Sequence, residues 1–307
     1  MTGAWLEVVE YTDPLCPWAW GSEPKLRLLR EELRGVARHR RVFGMLFDED
    51  DDPAPDPRAE AAWYARYVEG ITAHTGAPRA AELRRVAAGS LPASLASAAA
   101  EAQGPGPAER VLRRLRETAF VLGDPADTPE RVLAALHGVP GLDLGRLRAD
   151  LGSAAVRDRI DRDRAETRRP VPEVVGLRAD GPHPGAAKET EDGHRYALPT
   201  LLFGGPAGRR AVPGWRPLRE YLAAARAVCP GLVPQGRPPS TAAGLLERHR
   251  SLFESELAGV PGELPEGTLR VGTGNGTLLL HPTERSGSPL VSRCAPPVSP
   301  AGPPDRS

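Results

Sequence analysis

One cysteine in this 307-residue chain stands where a reactive side chain would be placed. In EYTDPLCPWAWGSEPKLRLLREEL, residues 10–33, Cys16 lies between a β-prone run, WLEVVEY (5–11), and a segment of helical character over 22–34. A strand, a tight turn and a helix put the sulfur at a helix N-terminus. There, free N–H groups and the helix dipole favour thiolate over thiol. Such sites bring a cysteine pKa from about 8.5 down to about 3.5–7.5, so Cys16 is expected to be nucleophilic, with Asp13 opposing the effect if it is close. The residue three positions on is Ala19, so no second thiol follows at the spacing that would resolve a mixed disulfide.

The surrounding elements have to position that turn. RRVFGMLF (40–47) is a second strand, and with 5–11 and the helix between them it makes a βαβ unit. Leu26, Leu29 and Leu33 share a helical face that packs on a sheet, and Pro24 is expected to kink the helix near its start. After Phe47 comes DEDDDPAPDP, a solvated acidic loop, and then a helical block over about 58–165. Within that block Trp63, Tyr64, Tyr67, Val68 and Ile71 keep helical spacing. PASLASAAAEA, AERVLRRLRETAFVL, DTPERVLAALHGV and DLGRLRADLGS read as further helices opened by capping Asp or Thr. Strand character returns at RYALPTLLFGG (195–205), followed by RRAVPGW and an amphipathic helix, RPLREYLAAARAV.

In this order, DPLCPW, the following helix, the insertion containing LPASLASAAAEA, and the late LPT before an apolar strand resemble the DsbA-like thioredoxin-fold proteins, in the cytoplasmic branch that includes polyketide-associated dithiol isomerases. The resemblance spans roughly 5–228. It implies an α/β chain, a thioredoxin fold with a helical insertion. It also implies Cys16 as the nucleophile in a turn formed by Pro17, Trp18 and Ala19, with Leu198, Pro199 and Thr200 as the binding wall, Pro199 being cis and Leu198 offering backbone groups to a peptide or thiol. A dithiol member carries Cys-Pro-Trp-Cys, whereas this chain reads Cys-Pro-Trp-Ala. Proteins with a single Ser there are similar to chromene-carboxylate isomerases and kappa-class glutathione transferases.

Three functions follow as expectations. The first is a thiol-disulfide oxidoreductase or isomerase acting through Cys16 alone on a protein or small-molecule thiol or disulfide. It holds no bound cofactor or metal and uses a low-molecular-weight thiol, glutathione or mycothiol, as co-substrate. The second is a non-catalytic binding or adaptor protein docking a client along the proline groove, and the third a thiol-dependent isomerase or transferase of a small aromatic molecule. Cys229 and Cys294 read as incidental thiols, and Trp18 and Trp20 as packing anchors or a substrate platform.

Charge and composition bound the rest. Forty basic and forty acidic residues give a net charge of zero, so neither nucleic acid nor an anionic membrane is an expected partner. Three widely spaced cysteines, the absence of a membrane-length apolar run and the character of MTGAWLEVVEY lead to a cytoplasmic expectation. The main domain is expected over 1–228, a Pro/Gly linker over 229–240, a small winged-helix-like module over 241–282 whose GTGNG is a hairpin turn and not a phosphate loop, and a disordered tail over 283–307.

Overall fold

The first strand sets the frame, because its alternation serves two different cores. In β1 (Leu6–Thr12), Leu6 and Val8 face one side of the sheet, and Val9 and Tyr11 face the other. A computed structural model describes residues 5–47, 55–234 and 239–293. The helix α1 (Pro17–Glu32) follows β1 directly and runs through Pro24; then β2 (Ala37–Phe43) pairs parallel with β1. The expected strand at 40–47 thus begins three residues earlier. It is an edge strand, and its charged half, ARHRR, is tolerated because one side stays open to solvent.

An insertion of six helices separates β2 from the rest of the sheet: α2 (Pro57–Thr75), α3 (Leu91–Glu101), α4 (Pro105–Phe120), α5 (Pro129–Leu136), α6 (Leu144–Leu151) and α7 (Ala154–Thr167). Asp56, Thr128, Asp143 and Ser153 cap four of them, each accepting from backbone N–H groups of the first turn. Helix α3 is the hub: Ala93, Ala96, Ala99 and Ala100 are buried, and such small side chains let α4, α5, α6 and α7 approach it closely.

The run at 195–205 splits in two. A short exposed hairpin, β3 (Lys188–Thr190) and β4 (Gly193–Arg195), ends before Pro199, which has no N–H for a ladder. Strand β5 (Thr200–Gly205) then pairs antiparallel with β1 and with β6 (Gly208–Pro213), giving the order β2-β1-β5-β6. Helix α8 (Leu218–Val228) lies beside α1 on the Leu6–Val8 side, burying Tyr221, Ala224 and Val228 against Leu201 and Phe203.

The C-terminal residues differ from the winged-helix expectation, which needs a second helix over SLFESELAG. After α9 (Ala242–His249), those residues form β7 (Ser251–Phe253) and a 3-10 turn (Glu254–Leu257), and the sheet is β7-β9-β8 with β8 (Leu269–Thr273) and β9 (Gly276–Leu280). Phe253, Val271, Leu278 and Leu280 share one core with Trp20, Val111 and Leu115. Apolar side chains that leave a short strand on both faces need a second surface to cover them, and the helical insertion supplies it. The turn of GTGNG docks as well: Asn275 accepts from the Arg79 N–H at 2.8 Å and donates to the Ala77 carbonyl at 2.9 Å. A Cβ at Gly274 would come within 2.8 Å of the Ala80 carbonyl oxygen, so only glycine permits this approach. Two further 3-10 turns, Pro282–Ser286 and Pro289–Arg293, follow, the second burying Leu290 in the same core, so order extends eleven residues into the segment read as a tail. The remainder of that tail with Cys294, the acidic run at 48–54 and positions 235–238 of the linker lie outside the described residues.

Because the cores are shared, unfolding should be a single urea transition for the whole chain. Phe253→Ala should lower its free energy by about 3–5 kcal/mol. An early transition of the C-terminal residues alone, leaving the body unchanged, would contradict the shared core.

Candidate functional site

Cys16 is the N-cap residue of α1, with extended backbone (φ −85°, ψ 118°), and its carbonyl accepts the first helical bond from the Trp20 N–H at 3.0 Å. The turn before it is held by Asp13, whose carbonyl accepts from the Cys16 N–H and whose carboxylate accepts from the Leu15 N–H at 2.6 Å and the Leu46 N–H at 2.7 Å. One buried side chain thereby ties the turn to the strand end after β2. Burial holds the Asp13 carboxyl above the usual carboxylate range, against those hydrogen bonds.

The helix-terminus effect is present and is outweighed. The backbone N–H groups of Ala19 and Trp18 at the helix start favour the thiolate, although the sulfur accepts no cap hydrogen bond from them, and Cys16 is only 2% exposed. Burial, aided by the Asp13 carboxylate, pushes its thiol up to about 11. Burial thus works against the activated thiolate expected at a helix start. Cys16 belongs to one buried apolar cluster with Val9, Ile71, Val174 and Leu198.

The cis-proline loop closes the site from the other side. The Leu198–Pro199 bond is cis, and the Leu198 carbonyl accepts from the Cys16 thiol at 3.5 Å and from His183 Nε2 at 3.0 Å. A carbonyl oxygen has two acceptor positions, and in this structure Cys16 and His183 occupy both. The Pro199 carbonyl accepts from the Gly214 N–H at 2.9 Å, and the Thr200 hydroxyl donates to the Ala197 carbonyl at 2.6 Å. Pro17, Trp18, Ala19, Leu198, Pro199 and Thr200 are all buried.

His183 is the residue that sequence reasoning missed. It sits on the loop between α7 and β3, its ring stacks on Trp18 with centroids 4.7 Å apart, and burial pushes its imidazole down to about 4. It is neutral at physiological pH, with the proton on the nitrogen that donates to Leu198. On the α2 side, Tyr64 and Tyr67 lie close enough to the sulfur that its charge would raise their own ionisation, and the Tyr64 hydroxyl has no hydrogen-bond partner among the described residues. Trp20, by contrast, is a packing anchor: fully buried, it donates to the Pro78 carbonyl at 2.8 Å and meets Phe253 edge-on. Cys229 is buried in the α1–α8 core, a different cluster from that of Cys16, and does not supply a resolving thiol.

The raised thiol has a signed consequence for stability. The folded state binds the Cys16 proton more tightly than the unfolded chain, so its contribution is complete below pH about 9 and is lost as pH rises towards about 11. Over that window the stability of the wild type should fall relative to Cys16→Ala by about 2–3 kcal/mol, read from urea unfolding at each pH. Parallel profiles for the two proteins would mean an unburied sulfur.

Residues 10–169 match the family described as Thioredoxin. Over 259 residues the chain is 29% identical to the ClpXP adapter protein SpxH of Shouchella clausii (strain KSM-K16), covering 82% of this chain and 76% of that protein. A second protein of that name, from Halalkalibacterium halodurans, is 32% identical over 155 residues, covering 48% of this chain and 49% of its own. Among solved structures, one provisionally described as a protein disulfide isomerase from Nitrosomonas europaea superposes with a TM-score of 0.54 at 15% identity, covering 71% of this chain and 96% of that one, and so shares its fold. Among the described residues no helix is long and apolar enough to cross a membrane, and no group of His, Cys, Asp and Glu has metal-binding geometry. With a sheet of order β2-β1-β5-β6, a cysteine capping α1 and a family match over more than half its length, the chain belongs to the thioredoxin family.

Proposed function

We propose that this chain is a cytoplasmic, protein-binding adaptor that uses the thioredoxin fold as a scaffold and does not use Cys16 as a nucleophile. The observation that carries this reading is the Cys16 thiol itself, buried, bonded to the Leu198 carbonyl and pushed up to about 11. At pH 7 a thiol of that kind is almost wholly protonated, and Ala19 leaves it without a resolving partner. The relatives named ClpXP adapter support the same reading, and by analogy the client is a protein handed to a ClpXP-type protease. Next to the closed site, Trp63 and Tyr67 of α2 stack in parallel with centroids 5.7 Å apart while remaining 57% and 44% exposed. Exposed aromatic anchors of this kind are what protein interfaces use.

A second reading keeps one observation in its favour: Cys16 caps the start of α1, where the backbone of Ala19 and Trp18 favours the thiolate. It describes a single-thiol exchange enzyme, resolved by glutathione or mycothiol, that acts only when the cover over Cys16 opens.

Protein half-lives in cells lacking the chain separate the two. Restoring either the wild type or Cys16→Ser should return the same set of stabilised proteins to rapid turnover, and Trp63→Ala/Tyr67→Ala should not. Insulin reduction driven by glutathione or mycothiol should be equally low for wild type and Cys16→Ser. A Cys16→Ser protein that behaves like the deletion, with a mixed disulfide trapped at Cys16 in the wild type, would establish the exchange enzyme instead.

A further inference from the structure

Strand β6 is an edge of the main sheet, and part of its length is open. Its register with β5 pairs Gly205 with Gly208 across a tight turn, and just past its other end the Gly214 N–H donates to the Pro199 carbonyl at 2.9 Å. Hydrogen-bonded pairs alternate along an antiparallel ladder, so Gly208, Arg210 and Val212 are the residues that bond to β5. Arg209 and Ala211 therefore aim their N–H and C=O groups away from the sheet, and no strand among the described residues pairs with them there. Beyond Ala211 the edge is closed by a neighbouring loop: a Cβ at Gly185 would lie 2.3 Å from the Gly214 nitrogen. At the Gly208 end it is open, since a Cβ there would meet nothing within 4 Å.

A groove of about 300 Å³ borders that open part. Leu202 and Ala211, cross-strand partners, line it from the sheet, and Val171, Val174 and Leu177 line it from the segment after α7. Arg209 and Arg210 line it as well. Both are exposed, and neither forms an ion pair among the described residues, Glu173 of the same groove included. Alternation puts Arg209 on the face of Ala211 and Leu202, and Arg210 on the opposite face. The open edge thus carries an unanswered positive charge on each side of the sheet.

We propose that this edge takes up an extended acidic segment of a partner protein as an added strand beside β6. An open strand edge is a template for another chain, and arginines on it disfavour a like strand while favouring an acidic one. A second copy of β6 would set arginines against arginines. A nucleic acid could meet the two cations, but it has no alternating N–H and C=O groups to match the edge. Cross-strand pairing fixes the pattern of the segment: acidic residues opposite Arg209 and Arg210, and an apolar residue opposite Ala211 on the side of Leu202. This surface is distinct from Trp63 and Tyr67 of α2; the proposal deepens the adaptor reading and rests on it for the partner being a protein.

Fluorescence anisotropy of a labelled Thr-Val-Glu-Glu-Val-Thr peptide with the full chain tests the edge; the peptide with Lys in place of Glu and a single-stranded thymidine oligonucleotide serve as separate probes. The expected result is saturable binding of the acidic peptide that weakens as salt rises, and none of the Lys peptide. Ala211→Pro removes an outward N–H without touching the β5 ladder, and Arg209→Glu/Arg210→Glu reverses the charge. Each should weaken binding by about tenfold or more, while Arg226→Gln on α8 leaves it unchanged. Arg209 and Arg210 are exposed, so their variant reports on binding even if Ala211→Pro fails to fold. No saturable binding, binding untouched by the charge reversal, tighter uptake of the oligonucleotide, or self-association of the chain that Ala211→Pro abolishes would overturn the proposal. Any of these results, with protein half-lives in cells still dependent on the chain, would strike this edge and leave the adaptor reading standing.

Discussion

Burial and the helix terminus act in opposite directions on one sulfur atom, that of Cys16. A helix N-terminus is worth about 0.3–1 kcal/mol to a nearby anion, and up to about 2 in partly buried geometry. Full desolvation raises an acidic group by as much as three to five pKa units, which is the larger quantity. Burial of Cys16 decides the contest, within an apolar cluster that also holds Val9 of β1, Ile71 of α2, Val174 after α7 and Leu198. His183 completes the closure by holding the same carbonyl that accepts the thiol and by stacking on Trp18. The familiar turn is present, and its surroundings have made it a packed and hydrogen-bonded piece of core.

A second constraint joins that turn to the rest of the molecule. Arg116 of α4 is fully buried, pairs with Glu23 of α1 and donates to the Thr12 hydroxyl at the end of β1 at 2.8 Å. On neighbouring turns of α4, Arg113 reaches Ser251 of β7, and Arg114 pairs with Glu284 at 2.5 Å. Nearby cations hold the Glu23 carboxyl far below its usual range despite its burial. Buried pairs of this kind add little net stability, but removing one partner strands the other at a cost of about 3–5 kcal/mol. They fix the placement of β1, α1, α4 and the C-terminal sheet relative to one another.

Much of the fold could be read from local pattern. The strand, turn and helix around Cys16, the helices of the insertion and the β5–β6 pair follow from periodicity, capping residues and glycine turns. What escaped depends on tertiary partners. Periodicity shows that Phe253, Leu278 and Leu280 need cover, but not that the helical insertion provides it. The β3–β4 hairpin has three-residue strands without apolar alternation. A lone histidine on an irregular loop gives no signal of the stacking and hydrogen bonding that His183 makes. At the site, the residue types placed Cys16 at a helix start, while its burial arises from residues distant in sequence, among them Ile71, Val174 and Leu198.

The most direct test of a buried, unreactive Cys16 is its alkylation rate against pH in the folded protein, with Cys16 read separately from Cys229 and Cys294 by peptide mass. The account predicts slow labelling that rises with pH and shows no plateau below pH about 9, in keeping with a thiol pushed up to about 11. A midpoint below about 7.5 would contradict it and make Cys16 an active nucleophile.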